Sequence, residues 1–140
     1  MSIKDIWNRV FNTTTQGEIK EFDKLESDQK DMIRGVVELS DTTVKEVMVP
    51  RIDTVFLSVD MDHDELLEKI AESGHSRFPV YKDTIDNVIG ILYVKDLLRT
   101  LVKHETINIP TIVRKPFFVP ESKRIDDLLR DMRRKRVHIA

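Results

Sequence analysis

The chain has 140 residues, 40% hydrophobic and 34% charged, with a formal net charge of −2 and no cysteine. That is enough apolar material for one domain or two very small ones, and it argues against wholesale disorder. The balanced charge argues against a nucleic-acid partner, and the lack of cysteine rules out disulfides and thiolate metal sites.

At the start, Ile3, Ile6, Trp7, Val10 and Phe11 recur at helical spacing, so residues 3–11 are expected to form a short amphipathic helix. Its polar face mixes Asp5 with Lys4 and Arg9, which suits docking on protein better than lying on a membrane. The same charges interrupt any signal-peptide core, and no apolar run approaches the roughly 18 residues that cross a bilayer. A cytoplasmic chain, membrane-associated only through a partner, is expected. The polar stretch up to residue 26 reads as a linker.

Residues 27–39 read as a helix capped by Ser27, with Met32, Ile33, Val36 and Val37 in one stripe. Thr43 and Glu46 are spaced as a capping box. Val44, Val47 and Met48 then form the buried side of one or two helical turns, which Pro50 ends. A strand is expected over 54–59. A helix follows over 61–73, with Leu66, Leu67, Ile70 and Ala71 inside and Gly74 at its C-terminal cap. Residues 77–81 are extended, 83–86 turn the chain, and 87–94 form an apolar strand. A last helix over 94–101 carries Leu97, Leu98 and Leu101. The order is strand, helix, strand, strand, helix.

The pattern then begins again. Residues 116–120 ("PFFVP") are strand-like, and Ser122 precedes a helical stripe of Ile125, Leu128, Leu129 and Met132. An offset of 62 residues places Phe118 on Phe56, Asp126 on Asp64, Leu128 on Leu66 and Leu129 on Leu67. This is an internal repeat of about 60 residues. Arg133, Arg134, Lys135 and Arg136 then fall at a helix C-terminus, where positive charge complements the macrodipole. Val137–Ala140 lies on the start of the second strand, so the second copy is expected to be incomplete within these residues.

Three stretches, "ELSDTTVKEVMVPR", "GHSRFPVY" and "NVIGILYVKDLL", set on this repeat, carry a family likeness. The chain resembles the CBS-domain pair (Bateman module) of the CorC/TlyC family over residues 27–140. Members are described as magnesium and cobalt efflux proteins or as hemolysin-like proteins. The resemblance implies an α+β fold of tandem β-α-β-β-α CBS motifs, the second truncated after its first strand and helix. It divides the chain into a leading helix and linker (1–26), a first motif with its preceding helix (27–103) and an incomplete second motif (104–140). It also implies a non-catalytic regulatory module that binds an adenine nucleotide, ATP or AMP, with or without Mg2+. A homodimer built through the CBS motifs and a membrane transport partner go with that reading. The alternatives are a ligand-free dimerisation platform and a hemolysin-like, membrane-active protein.

The resemblance also implies site residues. CBS motifs close their last strand on a Gly-apolar-apolar-Thr/Ser-x-x-Asp pattern whose hydroxyl and carboxylate meet phosphate and ribose. Here that pattern runs from Gly90 through Tyr93 to Asp96. Asp96 either accepts hydrogen bonds from a ribose diol or only stabilises the first helical turn. Tyr93 replaces the small hydroxyl residue, and it either stacks on adenine or packs as a core tyrosine. By the same resemblance, backbone at Thr54 and Val55 reads the adenine edge, Phe78, Pro79 and Val80 form an apolar wall, and Arg77 neutralises phosphate. Core packing competes as the reading of Val55 and Val80, and a surface ion pair as that of Arg77.

Other chemistry has little support. His63, His75, His104 and His138 share no helix-face spacing, and no G-x-x-x-x-G-K-[ST] loop or nucleophile elbow is present. The acidic run Asp60, Asp62, Asp64 and Glu65 suits a helix first turn better than a metal site.

Overall fold

The computed structural model describes residues 24–140. The helix expected over 3–11 lies outside them, as does most of the linker. The chain packs as two units. One runs up to Val47 and takes in Pro120–Asp131, and the other comprises Met48–Val119 and Met132–Ala140.

In the first unit, α1 spans Ser27–Leu39. Its cap is Glu26 and not Ser27. The Glu26 backbone N–H donates to Gln29 Oε1 at 3.0 Å, while the Glu26 side chain accepts from the helix, so both partners of a capping box are satisfied. Helix α2 (Val44–Val47) opens on the expected Thr43–Glu46 pair. Glu46 Oε2 accepts from the Thr43 N–H at 2.6 Å and from its hydroxyl at 2.7 Å. The backbone bond is the main reason the Glu46 carboxyl is held below the usual range. Thr43 also bridges Arg124, and the Val44 and Lys45 amides donate to the carbonyls of Lys123 and Glu121. The apolar side of these helices is open. Met32 is 74% exposed and Val36 67%. Val47 and Met48, expected on a buried side, are exposed at 57% and 46%. Helical periodicity marks an apolar stripe but does not supply the surface that covers it.

The second unit holds β1 (Leu57–Ser58), α3 (His63–Ser73), β2 (Arg77–Lys82), β3 (Thr84–Tyr93) and α4 (Val94–Val102). The sheet order is β1-β2-β3, with β1 parallel to β2 and β2 antiparallel to β3. This is the strand-helix-strand-strand-helix order expected from the sequence. Helix α3 starts where the Asp62 carboxylate accepts from the Asp64 N–H, and it ends on Gly74 in the left-handed region. The core gathers Leu57, Leu66, Ile70, Phe78, Val80, Leu92 and Leu97, and Ile109 from α5 (Ile109–Ile112) joins it.

Three local expectations change. The strand over 54–59 shrinks to Leu57–Ser58, the two residues that pair with Val80 and Tyr81, and a 3-10 turn, Arg51–Asp53, precedes it. Thr54 closes that turn, its N–H donating to the Arg51 carbonyl and its hydroxyl to that of Pro50. The expected turn over 83–86 narrows to Asp83, at φ 65°, and β3 already begins at Thr84. Residues 116–120 are not in a strand. In the first copy β1 pairs with β2, but the second-copy counterpart of β2, Val137–Ala140, is not in a strand either.

The repeat is visible at backbone level. Helix α6 (Ile125–Lys135) has Asp126 and Asp127 in its first turn and Arg133, Arg134 and Lys135 in its last, the charge order its dipole favours. At the same offset of 62 residues, Gly74 (φ 66°) is matched by Arg136 (φ 54°). Both copies thus end this helix on a left-handed residue, the second without a glycine. The left-handed conformation costs a side-chain-bearing residue about 1–2 kcal/mol. Gly90 is constrained by space instead. A Cβ there would lie 2.6 Å from Val113 Cβ and 3.1 Å from the Arg114 carbonyl oxygen.

Urea unfolding should therefore show Arg136→Gly raising stability by about 1 kcal/mol. Gly90→Ala should lower it by about 1–3 kcal/mol through overpacking. An unchanged midpoint for Gly90→Ala would mean that the 113–114 segment yields freely.

Candidate functional site

The site starts from the strand alternation in β2 and β3. Arg77 pairs with Tyr93, Phe78 with Leu92, Pro79 with Ile91, and Val80 with Gly90. Phe78 and Val80 are completely buried, whereas Arg77 and Pro79 are half-buried. Successive side chains point to opposite faces. Phe78 and Val80 therefore enter the core beside Leu57 and Leu66, while Arg77 and Pro79 share the other face with Tyr93.

Tyr93 ends β3 and is the N-cap residue of α4, but its side chain makes no capping hydrogen bond. The ring is buried and surrounded by cations. The Arg114 Cζ lies 4.2 Å from its centroid, the Arg77 Cζ 5.2 Å and the Lys95 Nζ 5.8 Å. Cations at this range are attracted by the ring quadrupole. Arg77 Nε is buried with no hydrogen-bond partner, and such a group costs free energy unless something accepts from it.

Asp96 sits in the first turn of α4, where its charge suits the positive helix end. Its side chain is only 16% exposed. Arg114 Nε donates to Oδ2 at 2.8 Å and Arg114 Nη2 to Oδ1 at 3.1 Å, and Arg99 Nη1 adds a bond to Oδ1 at 3.2 Å. The fork matches a carboxylate in bidentate fashion. The Arg114 hydrogen bonds are the main reason the Asp96 carboxyl is held below the usual aspartate range. Partial desolvation opposes them, and the charges of Arg114, Arg99 and Lys95 add to them. The same bonds raise Arg114 above its ordinary value.

Of the residues singled out in the sequence, the structure brings Arg77 to Tyr93, and Arg114 links Tyr93 to Asp96, with Pro79 on the same face of the sheet as Arg77 and Tyr93. Phe78 and Val80 lie on the opposite face. Thr54 and Val55 lie ahead of β1, and Val55 packs against the core. Arg114 is the residue that the sequence reading missed. It reaches the site because its own N–H and C=O pair with Ile91 on the open side of β3, at 2.9 and 2.8 Å. The one available signal was Asp96 itself, an acidic group at the end of an apolar strand that calls for a cation. Among the described residues, no three His, Cys, Asp or Glu side chains are grouped to hold a metal ion, and no helix is long and apolar enough to cross a membrane.

A planar aromatic, a carboxylate at a helix start and two guanidinium groups on one face suit a ligand with a flat ring, hydroxyls and negative charge. Comparison with known proteins gives that arrangement a family. The CBS domain family matches residues 44–103. The magnesium and cobalt efflux protein CorC of Pasteurella multocida is 38% identical, over 98% of this chain and 50% of that protein. Hemolysin C of Brachyspira hyodysenteriae is also 38% identical, over 80% of this chain and 41% of that protein. A solved CBS domain of a bacterial CNNM/CorC family Mg2+ transporter in complex with ATP superposes with a TM-score of 0.73. It is 34% identical, with 79% of this chain and 80% of that one covered.

The chain belongs to the CBS domains of the CNNM/CorC family. It spans half or less of the length of the curated CorC and Hemolysin C relatives named above. The family supplies the frame of the site. Gly90, Tyr93 and Asp96 all lie within the residues that the CBS domain family matches.

The ion pair gives a pH dependence with a definite sign. A carboxyl depressed in the folded state adds stability above the unfolded pKa, near 3.9, and loses it as pH falls through the folded value. Asp96→Asn should cost about 1 kcal/mol at neutral pH. The gap between wild type and variant in urea midpoint should close between pH 5 and pH 2. An Asp96→Asn, Arg114→Gln double-mutant cycle should return a coupling of about 0.5–1 kcal/mol at pH 7. A zero coupling would sink the assignment of the pair.

Proposed function

We propose that the chain is the regulatory, adenine-nucleotide-binding CBS module of a CorC-like protein linked to magnesium and cobalt transport, and that it is not itself catalytic. The observation that carries this is the unpartnered Arg77 Nε beside Tyr93, whose ring also meets the Arg114 that holds Asp96. In this reading Tyr93 meets the adenine ring, Asp96 accepts from the ribose hydroxyls, and Arg77 and the start of α4 meet phosphate. Pro79 adds apolar contact from the same face, and backbone at Thr54 and Val55 reads the base edge. Phe78 and Val80 support the wall from behind, through the core. The ATP held by the CNNM/CorC relative supports the ligand class. Its name, with that of the CorC protein, supports a transporter in the membrane as the partner served.

One observation favours a second, structural role. The exposed stripe of Met32, Ile33, Val36 and Leu39 on α1 suits a homodimer contact. Sedimentation velocity should then show a dimer that Val36→Glu converts to monomer. A wild-type monomer at all concentrations would remove this role.

Isothermal titration with ATP, ADP and AMP, with and without Mg2+, is the direct test of the nucleotide reading. Binding tighter than about 1 mM is expected for at least one of them. Asp96→Ala should weaken it by about 1–3 kcal/mol. The absence of heat for all three nucleotides in wild type overturns the reading.

A further inference from the structure

We propose that Arg114 is a built-in competitor for the nucleoside end of this site, and that a ligand enters by displacing its side chain. The inference rests on the nucleotide reading above and concerns how that site is regulated. Arg114 holds both positions that a nucleoside would use. Its planar guanidinium lies 4.2 Å from the Tyr93 ring centroid, the place of a stacked base. Its Nε and Nη2 donate to both oxygens of Asp96, the place of the two ribose hydroxyls. One side chain thus reproduces the flat surface and the paired donors of a nucleoside.

The two halves of the contact differ in freedom. Asp96 is 16% exposed and fixed in the first turn of α4, whereas the Arg114 side chain is 47% exposed. The Arg114 backbone is pinned to Ile91 by two hydrogen bonds. Opening therefore takes a side-chain rotation into solvent and leaves the strand edge in place. Arg77, by contrast, keeps a buried Nε with no acceptor, so the site has a second cation for an anion when Arg114 is removed. The closed pair lowers the fraction of molecules ready to bind, and apparent affinity falls by that fraction.

The test compares adenosine with ATP on the 140-residue chain, using wild type, Arg114→Ala and Arg114→Lys. Lysine keeps the charge but loses the plane and the fork. Adenosine should bind about fivefold tighter to both variants, the factor set by an exposed ion pair of about 1 kcal/mol. ATP should gain less with alanine, because a released Arg114 can meet phosphate in wild type. Adenosine affinity that is unchanged or weaker in both variants, while wild type binds ATP, overturns the competitor role and leaves the nucleotide reading standing. Loss of all binding in wild type removes both. Circular dichroism of the two variants checks that each is folded.

Discussion

The pairing of Arg77 with Tyr93 at the end of the β2–β3 ladder sets everything else in this site. A strand has a period of two, so this one register decides which side chains face the core and which face outward. Phe78, Val80 and Leu92 go inward and fill the space against α3 and α4. Arg77, Pro79 and Tyr93 go outward together. A slip by one residue would bury a guanidinium and expose a phenylalanine. The hydrophobic pattern of β2 therefore protects the position of the polar groups as well as the core.

The junction from β3 into α4 adds a second constraint. The strand stops at Tyr93 and the helix begins at Val94, so a residue in the first turn sits close to the end of the sheet. Asp96 benefits from the helix dipole there, yet one partly covered carboxylate does not stay unpartnered at low cost. Arg114 answers that need from a segment that is also held by backbone bonds and by the packing of Ile107, Ile109, Ile112 and Val113. Polar pairing and apolar packing thus fix the same segment from two sides.

How legible this was depended on the range of the interaction. The α3 helix, its Gly74 cap and the apolar part of β3 follow from local periodicity and cap chemistry, and the structure has them where the sequence puts them. The outer end of β3 was harder. Thr84, Ile85 and Asp86 form strand, but they are exposed and polar enough to read as turn. The stripe on α1 shows the opposite limit: the spacing reveals an apolar face, but not what covers it. Tyr93 and Asp96 were visible as a departure from, and a match to, a motif. Arg114 was not, because it meets Asp96 across 18 positions of chain through a bridge that no local pattern encodes.

The close approach at Gly90 has a consequence for how the protein behaves at high concentration. β3 is an edge strand, and an open edge of alternating apolar residues is a template for foreign strands. Here the absence of a side chain at Gly90 lets Val113 and Arg114 lie flat against that edge, and both hydrogen-bonding groups of Ile91 are used within the chain. The opposite edge, β1, is only two residues long. The sheet is thus guarded against intermolecular pairing on one side by brevity and on the other, at Ile91, by the approach that Gly90 permits. That single missing methyl group acts as a guard against aggregation.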